Sequence, residues 1–264
     1  MKLVILENYE EISRWTAKYI TKKINDYRPT SDNPFVIGLP TGSSPIGTYE
    51  ELVSIHKSGK LSFENVVTFN MDEYVGIAEN HPESYHNFMQ RHLFDHVDLN
   101  KKSIHIPDGN AQDLMKECEN YEAKINSYGG IELFMGGMGA DGHIAFNVPG
   151  SSLSSRTRLV NLNYETIAAN ARFFDGDLSK VPKQAVTVGV QTIMDAREVL
   201  IIVSGFNKAR ALQNVVEGGV NHMWTLSALQ NHSNAIVVCD EKATWELKVG
   251  TVNYFKELNN ADNL

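Results

Sequence analysis

The sequence predicts an α/β protein with a doubly wound, mostly parallel sheet and helices on both faces, in the manner of Rossmann-like folds. Short apolar runs alternate with segments of helical periodicity along the chain. These runs are continuously apolar and do not alternate with polar residues, which is typical of parallel strands covered on both faces. Both observations favour repeated strand, helix, strand units.

In the first half of the chain, the run from Leu3 to Leu6 predicts a strand, and residues 8 to 27 predict the helix after it. Apolar residues recur along that helix at steps of three to five and form an amphipathic stripe: Ile12, Trp15, Tyr19, Ile24 and Tyr27. The runs FVIGL and VVTF predict two further strands, each followed by a helical stretch.

In the second half, IELFMG predicts a strand that leads into a glycine-rich loop. EVLIIV and AIVVC predict strands that precede the helical segments KARALQNVVE and EKATWELKVGTVNYF. Because no fixed repeat or flexible linker occurs, we expect one domain over residues 1–264. The irregular stretch from Pro149 to about Val186 predicts a lid over residues 160–186, and a plain surface connection is the alternative.

The composition restricts the partners and the compartment. A formal charge of −8 and a pI near 5.6 argue against a basic surface for nucleic acid or an anionic membrane, so an anionic ligand needs a local pocket. Cys118 and Cys239 lack metal-type spacing and indicate buried free thiols in a reducing cytosol. The N-terminal apolar stretch is too short for a signal sequence, so we expect a cytoplasmic protein.

Four polar segments directly follow predicted strands: LPTGSSP, FNMDEYVG, GGMGADGH and SGFNKAR. In a parallel sheet the carboxyl ends of the strands meet at one edge, where open α/β folds bind their ligands. We therefore expect the four segments to form one site.

One end of this site has the features of an anion-binding turn. In LPTGSSP a helix begins near Pro45, so the backbone N–H groups of Gly42, Ser43 and Ser44 can converge on a phosphate. A capped turn without a ligand is the alternative. Lys208, near the start of a later helix, and Arg172, in the predicted lid, would add positive charge. Each of these two also fits an ordinary solvated side chain.

The other end offers acid–base groups. Asp72 follows a strand end, where a carboxylate can be desolvated and tuned as a base. Asp141 and His143 share a glycine-lined loop, and near-neutral titration suits His143 to pass a proton between substrate oxygens. The alternatives are turn or capping aspartates and a structural histidine.

Neither a metal nor a cofactor is expected. The segment HPESYHNFMQRHLFDH contains four histidines: His81, His86, His92 and His96. The last two have helical i, i+4 spacing, but the segment lacks a third ligand and the glutamate of an HExxH pattern.

Several long strings in the chain are unusual: IGLPTGSSP, VVTFNMDEYVG, HPESYHNFM, LFMGGMGADGHIAFN, ARFFDGDL, VPKQAVTVGV and GVNHMWTLSALQNH. Together they resemble the glucosamine-6-phosphate deaminase family, and the similarity runs from the first strand to ELKVGTVNYF. The resemblance implies conversion of glucosamine 6-phosphate and water to fructose 6-phosphate and ammonia, without a cofactor.

The resemblance also implies roles for the site residues. Asp72 is the base that moves a proton between C2 and C1, while Asp141 and His143 serve opening of the pyranose ring. The imine left at C2 is then hydrolysed. The substrate phosphate is bound by the turn and its partners: Thr41, Gly42, Ser43, Ser44, Arg172 and Lys208.

Val148 departs from the family pattern, because this chain reads GHIAFNVP where the family reads GHIAFNEP. The missing glutamate is expected to hold and polarise His143 during ring opening, and valine can neither accept a hydrogen bond nor favour imidazolium. Asp141 or a neighbouring acid can hold the imidazole instead, and sugar rings also open unaided. We therefore expect activity with slower ring opening.

A second departure concerns regulation. Some relatives are hexamers activated by N-acetylglucosamine 6-phosphate at a site between subunits, which implies a homo-oligomer here. The matching positions are Ser151, Arg158, Val160, Asn161 and Tyr254. Val160 replaces a usual lysine and Asn161 a usual threonine. Since a point charge is lost, we expect weak activation or none.

Two other functions fit the same scaffold. One is a related sugar-phosphate isomerase or lactonase, and the other is a catalytically weak sugar-phosphate sensor, which Val148 permits. NMDEYVG and GADGHIAFN favour the deaminase over the first. Against the second, a sensor has no need of Asp72 as a base at C2.

We predict that Val148→Glu raises kcat with the cyclic substrate, because a carboxylate at this position can orient the imidazole of His143. An acid–base group is typically worth roughly 10² to 10⁴ in rate. The measurement is kcat of both forms under conditions in which ring opening is shown to limit turnover. Equal rates for the two forms would contradict the prediction.

Overall fold

Ten strands form two sheets in the part of the chain that the structure describes. This computed structural model describes residues 1–261 apart from the side chains of residues 165, 169, 260 and 261, so the last three residues of the predicted domain lie outside it. The strands are β1 (Lys2–Leu6), β2 (Phe35–Leu39), β3 (Val66–Asn70), β4 (Asp72–Tyr74), β5 (Ile104–His105), β6 (Leu133–Gly137), β7 (Arg158–Asn161), β8 (Gln184–Thr187), β9 (Glu198–Val203) and β10 (Ala235–Asp240).

The larger sheet has the strand order β1-β10-β9-β6-β2-β3-β5, and every neighbouring pair is parallel. The strands that the sequence predicted as continuous apolar runs all belong to it. Each connection between these strands includes at least one helix, as a parallel crossover requires, and two pairs, β2 with β3 and β9 with β10, are neighbours both in the chain and in the sheet. The predicted fold class is confirmed.

Eight α-helices occur among the described residues: α1 (Tyr9–Tyr27), α2 (Ile46–Lys57), α3 (Tyr85–His92), α4 (Leu114–Ser127), α5 (Tyr164–Asn170), α6 (Val190–Met194), α7 (Ala209–Val216) and α8 (Val249–Ala261). The start of α1 follows from its sequence, since the Asn8 side chain accepts a hydrogen bond from the N–H of Glu11. The buried stripe of α1 includes Ile12 and Ile24, as predicted.

The core lies on both faces of the large sheet, as a doubly wound fold requires. Along β9, Leu200 and Ile202 pack on the face covered by α1, α2 and α3. Val199, Ile201 and Val203 alternate with them and pack on the face covered by α4, α7 and α8. Side chains with a period of two therefore serve two separate cores, which explains why the strand is apolar at every position.

A second, antiparallel sheet of three strands has the order β4-β8-β7. The stretch that the sequence marks as irregular thus contains two strands and α5. These strands escaped prediction because they are short, and they pack over a small cluster that includes Tyr74, Phe174 and Ala185. Whether residues 160–186 act as a lid stays a prediction.

The predicted helix EKATWELKVGTVNYF is partly wrong. Its first residues, Glu241–Thr244, form a short 3-10 turn that the Asp240 side chain caps through the N–H of Ala243. The α-helix begins only at Val249. The capped turn ends the β10 strand at the same edge as the predicted site.

Three smaller expectations concern cysteines, histidines and membranes. Cys118 and Cys239 are buried and free, as expected. His92 packs on the ring of Phe88, and the Nε2 of His96 is 2.9 Å from the carbonyl oxygen of Arg91. Within residues 1–261 we find no helix that is long and apolar enough to cross a membrane.

We predict that Gly38→Ala destabilises the protein by about 1–3 kcal/mol, because a Cβ at this position would lie 2.7 Å from the ring of Phe134 on the neighbouring strand β6. Gly219→Ala is the matched control, since nothing lies within 4 Å of its added Cβ and its φ is not positive. Thermal unfolding of both variants checks this. An unchanged melting temperature for Gly38→Ala would contradict the packing shown between β2 and β6.

Candidate active site

A cavity of about 490 Å³ lies at the carboxyl edge of the large sheet. The strands β9, β6, β2 and β3 are side by side in the sheet order, so the loops after them meet at this edge. The convergence predicted for the four polar segments is observed. The predicted site residues that line the cavity are Thr41, Gly42, Ser43, Ser44, Asp72, His143, Arg172 and Lys208.

The turn after β2 leaves its backbone donors available to a ligand. Gly42 has a φ of +90°, which favours glycine and lets the chain bend sharply before α2. In the described part of the chain, no protein group accepts a hydrogen bond from the N–H groups of Gly42, Ser43 or Ser44. The turn is therefore suited to an anion.

Tyr9 holds this turn in place, and sequence reasoning missed it. Its hydroxyl accepts a hydrogen bond from the N–H of Gly47 at 2.9 Å and donates to the carbonyl oxygen of Ser44 at 3.0 Å. Tyr9 is the first residue of α1 and lies far away in sequence. Only the packing of α1 beside α2 shows this connection.

Two cations, Lys208 and Arg172, also line the cavity. Burial lowers the pKa of Lys208, whereas the negative charge of Asp141 raises it and the positive charge of Arg172 lowers it. The effects of Asp141 and Arg172 show that all three groups are close enough to interact. Arg172 also packs over the ring of Phe173, 4.5 Å from its centroid. A bound phosphate would relieve the repulsion between the two cations.

Asp72 also lines the cavity, where the chain leaves the large sheet and enters β4. Its side chain is only 7% exposed, and no group among the described residues donates a hydrogen bond to its carboxylate. Burial, together with the negative charge of Glu73, raises the pKa of Asp72 to about 8. The residue is therefore a desolvated carboxyl group that faces the cavity and binds a proton unusually strongly.

Asp141 and His143 form a hydrogen-bonded pair. The Nδ1 of His143 is 2.5 Å from Oδ1 of Asp141, which leaves the Nε2 of the imidazole available to the cavity. Burial alone would raise the pKa of Asp141, but the hydrogen bond from His143 and the charge of that residue lower it overall. Gly139 makes room for the pair, since a Cβ there would lie 2.3 Å from Nδ1.

Val148 lies outside the set of residues that line the cavity, and it is partly buried. Its carbonyl oxygen accepts a hydrogen bond from the N–H of Ser151 at 3.0 Å. The neighbouring Asn147 is fully buried and donates to the carbonyl oxygens of Ile144 and Val188. The backbone at position 148 is thus well fixed, and His143 relies on Asp141 for its orientation.

Aromatic residues that sequence reasoning did not single out form one wall of the cavity. Tyr74 and Tyr85 have ring centroids 4.9 Å apart, and Phe146 stacks on Tyr85 at 6.4 Å. Asn170, from the predicted lid, donates to the hydroxyl of Tyr74 at 2.8 Å. Tyr74 and Tyr85 belong to the motifs NMDEYVG and HPESYHNFM, which were noted in the sequence. Nothing in the sequence, however, predicts contact between the two rings.

The structure separates the residues suggested for an activator site. Arg158, Val160 and Asn161 lie on β7, whereas Tyr254 lies on α8, which packs against the edge strand β1. Arg158 donates to Oδ1 of Asn147 at 2.7 Å, and burial lowers the pKa of its guanidinium. Ser151 belongs to the turn after position 148. An activator site at these positions stays a prediction.

The fold and this cavity define an α/β enzyme that combines acid–base groups with a turn suited to a small anion. The sequence profile described as glucosamine-6-phosphate isomerases/6-phosphogluconolactonase matches residues 7–238. The chain belongs to this family.

Similar proteins agree with that assignment. The chain is 62% identical over 258 residues to a glucosamine-6-phosphate deaminase of Borreliella burgdorferi strain ZS7, covering 98% of this chain and 96% of the relative. It is 60% identical over 262 residues to one of Phocaeicola vulgatus, covering 99% and 100%. A solved monomeric glucosamine-6-phosphate deaminase, 40% identical, superimposes with a TM-score of 0.88 over 92% of this chain and 98% of that one.

A more distant likeness concerns the fold alone. The 6-phosphogluconolactonase from Trypanosoma cruzi is 20% identical and has a TM-score of 0.73, with 94% of this chain and 97% of that chain covered. The same layered sheet therefore occurs in proteins of very different sequence.

We predict that Asp72→Asn raises the melting temperature at pH 8. The folded pKa of about 8 is above the ordinary value of 3.8, so the folded state holds the proton more tightly and loses stability as pH rises between these values. Asparagine is neutral throughout. A relief of even about 1 kcal/mol would raise the melting temperature by roughly 2–4 °C.

The gain should shrink towards pH 4, where Asp72 is protonated in the folded state. Asp32→Asn is the control, because Asp32 is exposed on the loop between α1 and β2. Equal stability of Asp72→Asn and the unmodified protein at pH 8 would show that the carboxylate is not desolvated.

Proposed function

We propose that this protein converts glucosamine 6-phosphate and water to fructose 6-phosphate and ammonia. The observation that carries the proposal is that one cavity is lined by a turn with free backbone donors, by two cations and by a buried carboxyl group to which no described residue donates a hydrogen bond. The Asp141–His143 pair lies in the loop after β6, and β6 lies between β9 and β2 in the large sheet. The relatives carry the same activity in their names.

Substrate binding starts with the phosphate. It accepts hydrogen bonds from the N–H groups of the turn at Gly42 to Ser44 and pairs with Lys208 and Arg172. Arg172 belongs to residues 160–186, so closure of this segment as a lid would bring the charge onto the ligand and exclude water. The aromatic wall of Tyr74 and Tyr85 then limits the space left for the sugar.

Ring opening uses the imidazole of His143. The proton of the anomeric hydroxyl passes to Nε2, and a proton returns to the ring oxygen as the bond between this oxygen and C1 breaks. Asp141 holds the Nδ1–H and stabilises the imidazolium that forms in between. This pair supports the step in the absence of a glutamate at Val148.

Asp72 carries out the isomerisation. Its ionised carboxylate removes the proton from C2 of the open-chain aldehyde and returns a proton to C1. C1 is thereby reduced from an aldehyde to an alcohol, while C2 is oxidised from an amine to an imine. Electrons balance within the substrate. Water then adds to C2, and ammonia leaves to give the ketone.

Regulation and assembly form a narrower part of the proposal. We propose weak or absent activation by N-acetylglucosamine 6-phosphate, because Val160 supplies no charge beside Arg158. A homo-oligomer is proposed from the family resemblance, although one relative is described as monomeric. The buried free thiols of Cys118 and Cys239 support a cytoplasmic location.

The test is release of ammonia together with formation of fructose 6-phosphate from glucosamine 6-phosphate. We expect turnover by the unmodified protein and a loss of about 10² to 10⁴ in kcat for Asp72→Asn. The melting temperature of that variant shows that it is folded.

Two further arms separate the alternatives. Binding of glucosamine 6-phosphate without ammonia release would favour a sensor. Hydrolysis of 6-phosphogluconolactone without ammonia release from the amino sugar would favour a lactonase. Ammonia release that persists in Asp72→Asn would exclude Asp72 as the base.

A further inference from the structure

Glu73 is a buried carboxylate that directly follows Asp72 on β4. Its side chain is 2% exposed and accepts hydrogen bonds from the backbone N–H groups of Tyr74, Tyr85 and His86 at 2.9 to 3.1 Å. The Nδ1 of His86 is 2.9 Å from its Oε2. The three backbone partners are hydrogen-bond donors, and the carboxylate can accept a further hydrogen bond from His86 when its Nδ1 carries the proton.

The two carboxyl groups point in opposite directions. Successive side chains of a strand lie on opposite faces, so Asp72 faces the cavity while Glu73 faces the start of α3. Both are nearly inaccessible to water, and their mutual repulsion is therefore weakly screened. The charge of Glu73 is one of the causes of the raised pKa of Asp72.

The other titratable groups around Asp72 do not offset this charge. Three tyrosines interact with Asp72: Tyr74 from β4 itself, Tyr85 from α3 and Tyr121 from α4. Its pairing partner on β8 is Thr187. The titratable groups in or beside the cavity are His143 with Asp141, Glu83 near Tyr74, and the cations Lys208 and Arg172.

His86 connects Glu73 to solvent. Its side chain is 25% exposed, and its Nε2 is 3.9 Å from Oε1 of Glu79, a carboxylate that is 71% exposed. A separate cavity of about 360 Å³ opens at this point, and its charged or titratable lining residues are Glu79, His86, Lys101, His105, Glu117, Tyr121 and Lys124. His86 thus fixes Glu73 from the side away from the active site.

We propose that Glu73, locked in place by His86, is a positioning residue that sets the pH range in which Asp72 acts as a base. The inference rests on the proposed function, because it assigns Glu73 a role in that reaction. A carboxylate that binds its proton tightly is a stronger base towards a C–H bond than an ordinary aspartate. Burial of Asp72 is the larger cause of this property, and Glu73 adds to it without touching the substrate.

The first experiment is the pH profile of kcat/KM for ammonia release from glucosamine 6-phosphate. Glu73→Gln keeps the size of the side chain and removes its charge, and it should move the acidic limb of the profile to lower pH by about one unit. Glu73→Asp retains the charge and should keep the limb near that of the unmodified enzyme. The amino group of the substrate titrates identically in each assay. Differences between the pH profiles of the variants therefore come from groups of the enzyme.

Two more variants complete the set. His86→Lys leaves Glu73 and its backbone hydrogen bonds intact but places a permanent cation beside it, so the limb should also move to lower pH. The pH profile of His86→Lys still tests the inference if Glu73→Gln does not fold. Glu79→Gln is the matched control, since it removes an exposed charge from the far side of His86 and should leave the limb unchanged.

A stability cycle tests the coupling without turnover. If the charge of Glu73 makes ionisation of Asp72 costly, Asp72→Asn should raise the melting temperature at pH 8 by less in the Glu73→Gln background than in the unmodified protein. Equal rises in both backgrounds would overturn the inference. The inference would also be overturned if Glu73→Gln lowered kcat at every pH without moving the acidic limb of the pH profile, because that result indicates a structural role only. Absence of ammonia release from the unmodified enzyme would instead reject the proposed function, while the stability cycle would still decide the coupling.

Discussion

The parallel pairing of four neighbouring strands determines where each reactive group lies. With β9, β6, β2 and β3 adjacent and parallel, their carboxyl ends form one edge, and the loops that follow them have no other place to meet. The pairing depends on close packing inside the sheet, for example of Gly38 on β2 against the ring of Phe134 on β6. A shift in register at this point would displace the phosphate turn relative to Asp141 and His143.

The site also shows a conflict between stability and reactivity. Asp72 is buried and accepts no hydrogen bond from any described residue, and Lys208 is a partly buried cation that interacts with Arg172. Both arrangements cost free energy in the empty protein. The rest of the fold offsets this cost through two extensive cores, and a phosphorylated substrate would compensate the charges. Glu73 differs, since its hydrogen bonds satisfy it fully within the protein.

Much of the fold and of the site was predictable because it depends on local patterns. Continuous apolar runs identified the parallel strands, and polar segments directly after them identified the edge at which Asp72 and His143 now lie. The small sheet was missed, because β4 has three residues and β7 and β8 have four each, too few to show a clear period. The missed residues of the site have a different explanation. Tyr9, Glu73 and Tyr85 gain their roles from contacts between separate elements, which a local sequence pattern does not show.

The sequence by itself determined the fold class, the edge at which the site forms and the types of chemical group available there. It also identified Val148 as a departure from the family pattern. Only the tertiary structure decided that, among the described residues, Asp72 is desolvated without a hydrogen-bond donor and the His143 imidazole is held by Asp141 alone. It also decided that the start of α3 encloses Glu73. The physical reason is that burial and Coulomb interactions depend on distances between residues of different elements, and no local pattern in a chain records those distances.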